Sequence, residues 1–317
     1  MPARLSSVVV EVPGLLTTVQ DLGRVGYGLL GVSPSGAADP VALRIANLLV
    51  GNQPGAAALE MTLAGGRFLF PRGATIALTG ADFGATLNDQ PLEMWTPHTL
   101  QPGAKLAMGP TKNYARCYLA FAGGIRVPPL LDSASTHLLS GLGGFEGRAL
   151  RKGDVLPLAQ IQQQIPLKRI SPAVLQHLMP ARKLRVVDGP QCGQFSEEAR
   201  QLFFRALFHV SEQSNRLGIR LEGAKLPTDS VGDMITEGVT LGAVQITPSG
   251  EPIILGVEQQ TTGGYPKIAN VIGVDLHRLG QLRPRDEIRF ERTSLALARP
   301  LWIEQERLLN DPRKLFL

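Results

Sequence analysis

The chain has 317 residues, a length that suits two domains of ordinary size. Hydrophobic residues at 44% suffice for packed cores, and charged residues at 19% are too few for a disordered chain. The formal net charge of +5 is a small excess of 32 Lys and Arg over 27 Asp and Glu, and no basic run exceeds Arg151-Lys152 or Arg182-Lys183, so the clustered footprint of a nucleic-acid binder is missing.

Glycine (35) and proline (24) punctuate the chain often enough to favour many short strands over long helices. Two cysteines, Cys117 and Cys192, make neither a disulfide framework nor a CxxC site, and read as reduced thiols packed as small apolar groups. The opening MPARLSSVVVEVPG has too short an apolar run for a secretory signal, and no window approaches the ~18 apolar residues of a membrane span. The expectation is a cytoplasmic protein, bound neither to membrane nor to nucleic acid.

In chain order, Val8–Val12 is a β-branched run ended by the turn dipeptide Pro13-Gly14. Further strands are predicted at Phe68–Phe70, Thr75–Leu78, Lys105–Met108 and Cys117–Phe121. One helix interrupts them: Asp39 caps it, Pro40 suits its first position, Val41, Ile45, Leu48 and Leu49 form its apolar stripe, and Gly51 stops it. Residues 159–170, with four glutamines and a proline, read as a linker, placing domains at 1–160 and 171–317. Beyond it, Ser196 caps a helix with Glu197 and Glu198 in its first turn. Strands follow at Ala243–Thr247, Pro252–Val257, Ile268–Val274 and Glu287–Phe290, with a final helix from near Pro300. The pattern points to a mostly β protein of two barrels or sandwiches with a few short helices.

Several self-contained chemistries are missing. There is no GxxxxGK[ST] loop and no GxSxG elbow, and the five histidines show neither HxxxH nor HExxH. The glycine run Gly141-Leu-Gly143-Gly144-Phe-Glu-Gly147 misses the GxGxxG spacing by one residue.

The polar, glycine-rich loops carry a resemblance. Thr17-Thr18-Val19-Gln20-Asp21-Leu22-Gly23-Arg24, Gly31–Ala37, Ala46–Asn52, Leu59-Glu60-Met61-Thr62 and Leu119–Ile125 follow one another in the first half. Ser214–Gly218, Thr236-Glu237-Gly238-Val239 and Gln260-Thr261-Thr262-Gly263-Gly264-Tyr265-Pro266-Lys267 follow in the second. From about Val8 to Phe290 the chain resembles the allophanate hydrolase subunit 2 family, a carboxyltransferase-like family that includes the C subunits of bacterial ATP-dependent 5-oxoprolinase. It departs from the family pattern where the usual Ser-Arg-Ser-Thr reads Ser133-Ala134-Ser135-Thr136, where Asp-Ala-Gln reads Glu258-Gln259-Gln260, and where Pro-Gly-Asp reads Pro284-Arg285-Asp286.

The resemblance implies two cyclophilin-like β-barrels. It also implies membership of an ATP-dependent lactam hydrolase complex that opens 5-oxo-L-proline to L-glutamate. The implied partners are a subunit 1-family protein, like the B subunit of 5-oxoprolinase, and a lactam-utilisation protein, like its A subunit. ATP with Mg would be held at or through those partners. Two alternatives are the carboxyltransferase half of a urea carboxylase or amidolyase, with biotin as its cofactor, and a non-catalytic antagonist of a kinase-inhibitor protein.

Within these loops the residue chemistry marks candidates for binding a substrate or anion. Gln20, Asp21 and Arg24 put an amide, a carboxylate and a guanidinium in one segment, either as a ligand site or as an internal Asp21–Arg24 pair. Gln260, Thr261, Thr262, Gly263, Gly264 and Tyr265 offer polar groups beside two residues without side chains, and Lys267 adds a positive charge; the plainer alternative is a glycine turn between strands. Asn215 and Arg216 either reach the same ligand or cap the next strand. Asn47 and Asn52 read as structural, Glu60 as either a paired carboxylate or a site residue, and His137 as a loop histidine. No catalytic residue and no metal ligand is assigned.

Overall fold

The structure, a computed structural model, describes residues 6–159, 168–179, 182–228, 232 and 234–317. The chain forms two compact units. The first comprises residues 1–24, 35–178 and 308–317, and the second 25–34 and 179–307. This division differs from the expected single cut. Ile170, Leu178, Leu309, Leu315 and Phe316 join a core cluster of the first unit, so the C-terminus returns to it, and residues 25–34 are claimed by the second. Residues 160–167, most of the expected linker, lie outside the described residues.

In the first unit, β1 (Ser6–Val12), β4 (Arg67–Phe70), β6 (Thr86–Leu87), β7 (Gln90–Pro91), β9 (Ala104–Ala107) and β11 (Val155–Leu158) make one sheet in the order β11-β1-β4-β9-β6-β7. The strands β2 (Leu16–Gln20), β3 (Ala58–Thr62), β5 (Ala74–Gly80), β8 (Pro97–Leu100) and β10 (Arg116–Phe121) make a second, β2-β3-β10-β5-β8. Period-2 alternation decides which side chains meet. From β10, Cys117, Leu119 and Phe121 join Val8, Val10, Phe68, Phe70 and Leu156 of the other sheet in one core. Tyr118 and Ala120 point the opposite way, where Ala58 and Ala77 leave room for α1 (Pro40–Leu49) and its Leu43, Ile45 and Leu49. The caps are as expected: Asp39 Oδ1 accepts the Ala42 N–H at 2.9 Å, Pro40 opens the helix, and Gly51 follows it at φ 76°.

The second unit closes into a seven-stranded barrel. Around it run β12 (Lys183–Asp188), β19 (Lys267–Val271), β16 (Ala243–Ile246), β17 (Pro252–Leu255), β14 (Gly218–Gly223), β13 (Phe208–Val210) and β20 (Glu287–Arg292). Closure comes from the parallel pairing of β12 with β20. A further two-stranded ladder, β15 (Glu237–Gly238) with β18 (Thr262–Gly263), stands apart from the barrel sheet. Helix α3 (Glu197–Arg205), capped by Ser196, sends Phe203 into the barrel core, where it stacks on Phe290 at 4.4 Å between centroids. Burying such a ring is worth about 1.5–3 kcal/mol, which fixes the helix against the barrel.

Helix α2 (Pro172–Leu178) belongs to the first unit, the four-residue helix α4 (Leu276–Leu279) follows β19, and α6 (Pro312–Leu315) lies near the C-terminus. Between the last two, α5 (Leu295–Leu309) starts a turn earlier than expected, because Ser294 Oγ accepts from the Leu297 N–H at 3.3 Å, and Pro300 lies inside its second turn. Burial raises the thiol pKa of both Cys117 and Cys192. Among the described residues no helix is long and apolar enough to cross a membrane, and no cluster of His, Cys, Asp and Glu could hold a metal ion.

Candidate functional site

Two of the family-like motifs of the second unit meet at the β15–β18 ladder. Glu237 pairs with Gly263 and Gly238 with Thr262, and the Val239 N–H donates to the Thr261 carbonyl at 3.1 Å. The connection from β17 to β19 is therefore no simple glycine turn; it makes an excursion with strand pairing of its own. Thr262, Gly264 and Tyr265 are exposed at its tip. Beside it opens a cleft of about 460 Å³, whose lining includes Thr228, Met234, Thr247, Gly264, Tyr265 and Pro266.

Lys267 anchors this excursion. Its side chain is only 4% exposed, and Nζ lies 2.5 Å from Glu237 Oε1. Gln191 clamps both residues: its Nε2 donates to Glu237 Oε1 at 2.8 Å, and its Oε1 accepts the Lys267 N–H at 3.1 Å. Lys267 first, then Gln191, holds the Glu237 carboxyl below its ordinary pKa. Lys267, expected to add a positive charge, enters the corner as half of an ion pair, because a buried ammonium needs a counter-charge. Gln245, 1% exposed, donates from Nε2 to the Tyr265 carbonyl at 3.4 Å.

The two glycines differ in what they permit. A Cβ on Gly263 would lie 2.7 Å from Gln245 Nε2 and 3.3 Å from Gln260 Nε2, so this glycine lets two side-chain amides approach the backbone. Gly264 has ordinary φ, and a Cβ there would meet only Thr236 Oγ1 at 3.4 Å.

Arg216 and Glu258 form a buried ion pair, Nε to Oε1 at 2.6 Å, with side chains 5% and 4% exposed. The Glu258 N–H also donates to the Arg216 carbonyl at 2.9 Å. The glutamate that replaces the family's aspartate therefore keeps a carboxylate on that arginine. Asn215 takes the capping role: its Oδ1 accepts from the Leu217 and Gly218 N–H groups at the start of β14.

Gln20, Asp21 and Arg24 lie in the first unit, all buried. Asp21 accepts from the Gly23 N–H within its own turn. It also accepts from the Ser133 and Ser135 hydroxyls and the Ala134 N–H, which tie it to the 133–135 loop. Arg24 donates from Nη2 to the Ser135 carbonyl, and Gln20 Nε2 donates to the Thr136 carbonyl at 3.1 Å. The alanine that replaces the family's arginine contributes its backbone N–H to this hub. Gly143 and Gly144, from the near-miss glycine motif, pack against Ser135, Arg24 and Thr136 with no room for a Cβ. The choice left open at Glu60 goes to the paired carboxylate: it accepts from Tyr118 Oη at 2.7 Å and the Ala38 N–H at 2.9 Å, with Arg116 Nε at 3.3 Å. Burial first, then the Glu60 charge, raises the Tyr118 pKa and keeps its hydroxyl a donor.

Residue reasoning missed Gln191, Glu237 and Gln245. Glu237 lies in a family-like motif and was within reach; Gln191 meets Lys267 across 76 residues, and no local pattern marks it.

A closed β-barrel carrying a threonine- and glycine-rich excursion, with a second β unit in the same chain, is the architecture that the carboxyltransferase-domain match below accounts for. The chain belongs to the carboxyltransferase domain family, subdomain A and B, whose profile matches residues 30–292. It is 39% identical to the C subunit of Escherichia coli 5-oxoprolinase over 94% of this chain and 95% of that protein. It is 36% identical to urea amidolyase of Lachancea kluyveri over 93% of this chain, which spans 17% of that protein. Among solved structures it is similar to K. lactis urea amidolyase, with TM-score 0.89 and 34% identity, covering 98% of this chain and 20% of that one.

Proposed function

We propose that this chain is one component of an ATP-dependent 5-oxoprolinase and contributes to opening 5-oxo-L-proline to L-glutamate. Its partners in this reading are a subunit 1-family protein, equivalent to the B subunit of that enzyme, and a lactam-utilisation protein, equivalent to its A subunit. The observation that carries the reading is the similarity to the C subunit of 5-oxoprolinase across 94% of this chain and 95% of that relative. Val25, Leu29 and Leu30, exposed at 83%, 101% and 74% within one loop, also support a partner-bound life.

An unactivated lactam is a poor electrophile, and its opening develops negative charge that donors must stabilise. The Thr262 hydroxyl and the Gly264 backbone at the tip of the excursion are groups of that kind. Among the described residues the cleft beside Tyr265 is lined by no cation, and Lys267 is paired with Glu237. In this reading ATP, which supplies phosphoryl activation of the lactam oxygen, is held by the partner proteins.

The test is reconstitution. The chain alone should not convert 5-oxoproline to glutamate with ATP, and adding both partners should produce turnover. Robust turnover by the purified chain alone would sink the multi-subunit reading.

The similarity to urea amidolyase over 98% of this chain favours a second reading, one half of a biotin-dependent carboxyltransferase. Carboxyl transfer from a biotinylated carrier to an amide, in place of lactam opening, would select it.

A further inference from the structure

A second cleft in the barrel unit shares no residue with the one beside Tyr265. It measures about 360 Å³ and lies between α3 and the end of β20, with Cys192 also among its lining residues. Its charge is lopsided. Arg200 and Arg205 come from α3 and Arg292 from β20, whereas Glu197 is the one carboxylate among the lining residues.

The three guanidiniums are unequally engaged. Arg292 is held by Asp188, with Nε at 2.9 Å from Oδ1 and a second bond from Nη2 to Oδ2. Arg200 gives Nη2 to Glu197 at 2.7 Å and its side chain also hydrogen-bonds the Cys192 thiol, while its Nε is buried without an acceptor among the described residues. Arg205 is exposed and makes no ion pair among the described residues. A buried guanidinium N–H without an acceptor is costly, and an entering anion would relieve it. Phe204 adds an apolar wall, with the Arg292 guanidinium carbon 5.9 Å from its ring centroid.

We infer that this cleft binds the phosphate group of a small phosphorylated molecule. Guanidinium forks match phosphate oxygens in parallel N–H···O pairs, and the two incompletely engaged arginines supply the donors. The cleft is large enough for a small ligand, and Phe204 offers a flat surface to any ring attached to the phosphate.

The experiment is isothermal titration of the whole chain at low ionic strength with inorganic phosphate and, separately, with AMP. Arg205→Gln and Arg200→Gln should each weaken binding about tenfold, as expected for loss of a charge-assisted bond. Arg205 is exposed, so its variant should melt like the wild type and keep the test valid if Arg200→Gln unfolds. Tighter binding of AMP than of phosphate places an organic body on Phe204; equal affinities point to free phosphate. No saturable binding of either probe, or affinities unchanged in the Arg205 variant, overturns the inference.

Discussion

Arg216 Nε lies 2.6 Å from Glu258 Oε1 in the barrel unit, and both side chains are about nineteen-twentieths buried. One pair thereby joins two sequence motifs that lie 42 residues apart. Removing one partner leaves a buried charge behind, which typically costs about 3–5 kcal/mol, whereas replacing both with apolar groups is often neutral. Glu258→Ala should therefore lower the melting temperature sharply, and adding Arg216→Met should recover most of the loss. Equal destabilisation by the single and double variants would show that the pair does not act as a unit.

The excursion at Thr262 separates function from folding more cleanly than its glycines suggest. Thr262 is exposed, and Thr262→Val removes only a hydroxyl, so it should melt within about 0.5 kcal/mol of wild type. In the reconstituted complex it should depress turnover. Wild-type activity in that assay would reduce the excursion to a structural loop.

Gly263 and Gly264 should respond differently to alanine. At Gly264 a Cβ finds ordinary contact distance, so Gly264→Ala should fold normally and report on backbone access. At Gly263 it would collide with the Gln245 amide, so Gly263→Ala should lower the melting temperature as well. Thermal melting of the two variants side by side checks this, and equal melting points would contradict it.

Arg285 occupies the glycine position of the family's Pro-Gly-Asp turn at φ 70°, in the left-handed region. Its ion pair with Glu212 is exposed on both sides and is worth little. Relief of left-handed strain, about 1–2 kcal/mol, slightly exceeds the chain entropy that glycine adds. Arg285→Gly should thus raise stability by up to about 1 kcal/mol in urea unfolding; a loss of stability would show that the strain is absorbed elsewhere.

Asp154 is held below the ordinary carboxylate range, chiefly by the Arg148 guanidinium and then by the Arg151 N–H. A depressed carboxyl stabilises the fold fully above its unfolded pKa, near 3.9, and that contribution fades as pH falls through the folded value. The melting-temperature gap between wild type and Asp154→Asn should be constant from pH 7 down to about 4.5 and narrow below it. A gap that is insensitive to acid would remove Arg148–Asp154 from the pH response.

What the sequence determined by itself was local. Asp39 and Ser196 announce their helices because a cap needs only neighbouring N–H groups, and the short apolar runs of β1, β5 and β10 mark strands because turn residues bound them. The loop motifs were also readable, though not the fate of their side chains. Only the tertiary structure decided that Asp21 serves as a hub for residues 133–135 more than 110 positions away, that Lys267 meets Glu237 under the clamp of Gln191, and that the C-terminal Phe316 joins the core over α1. A buried charge must find its partner wherever the fold brings one, and no local pattern can name a partner that only folding brings near.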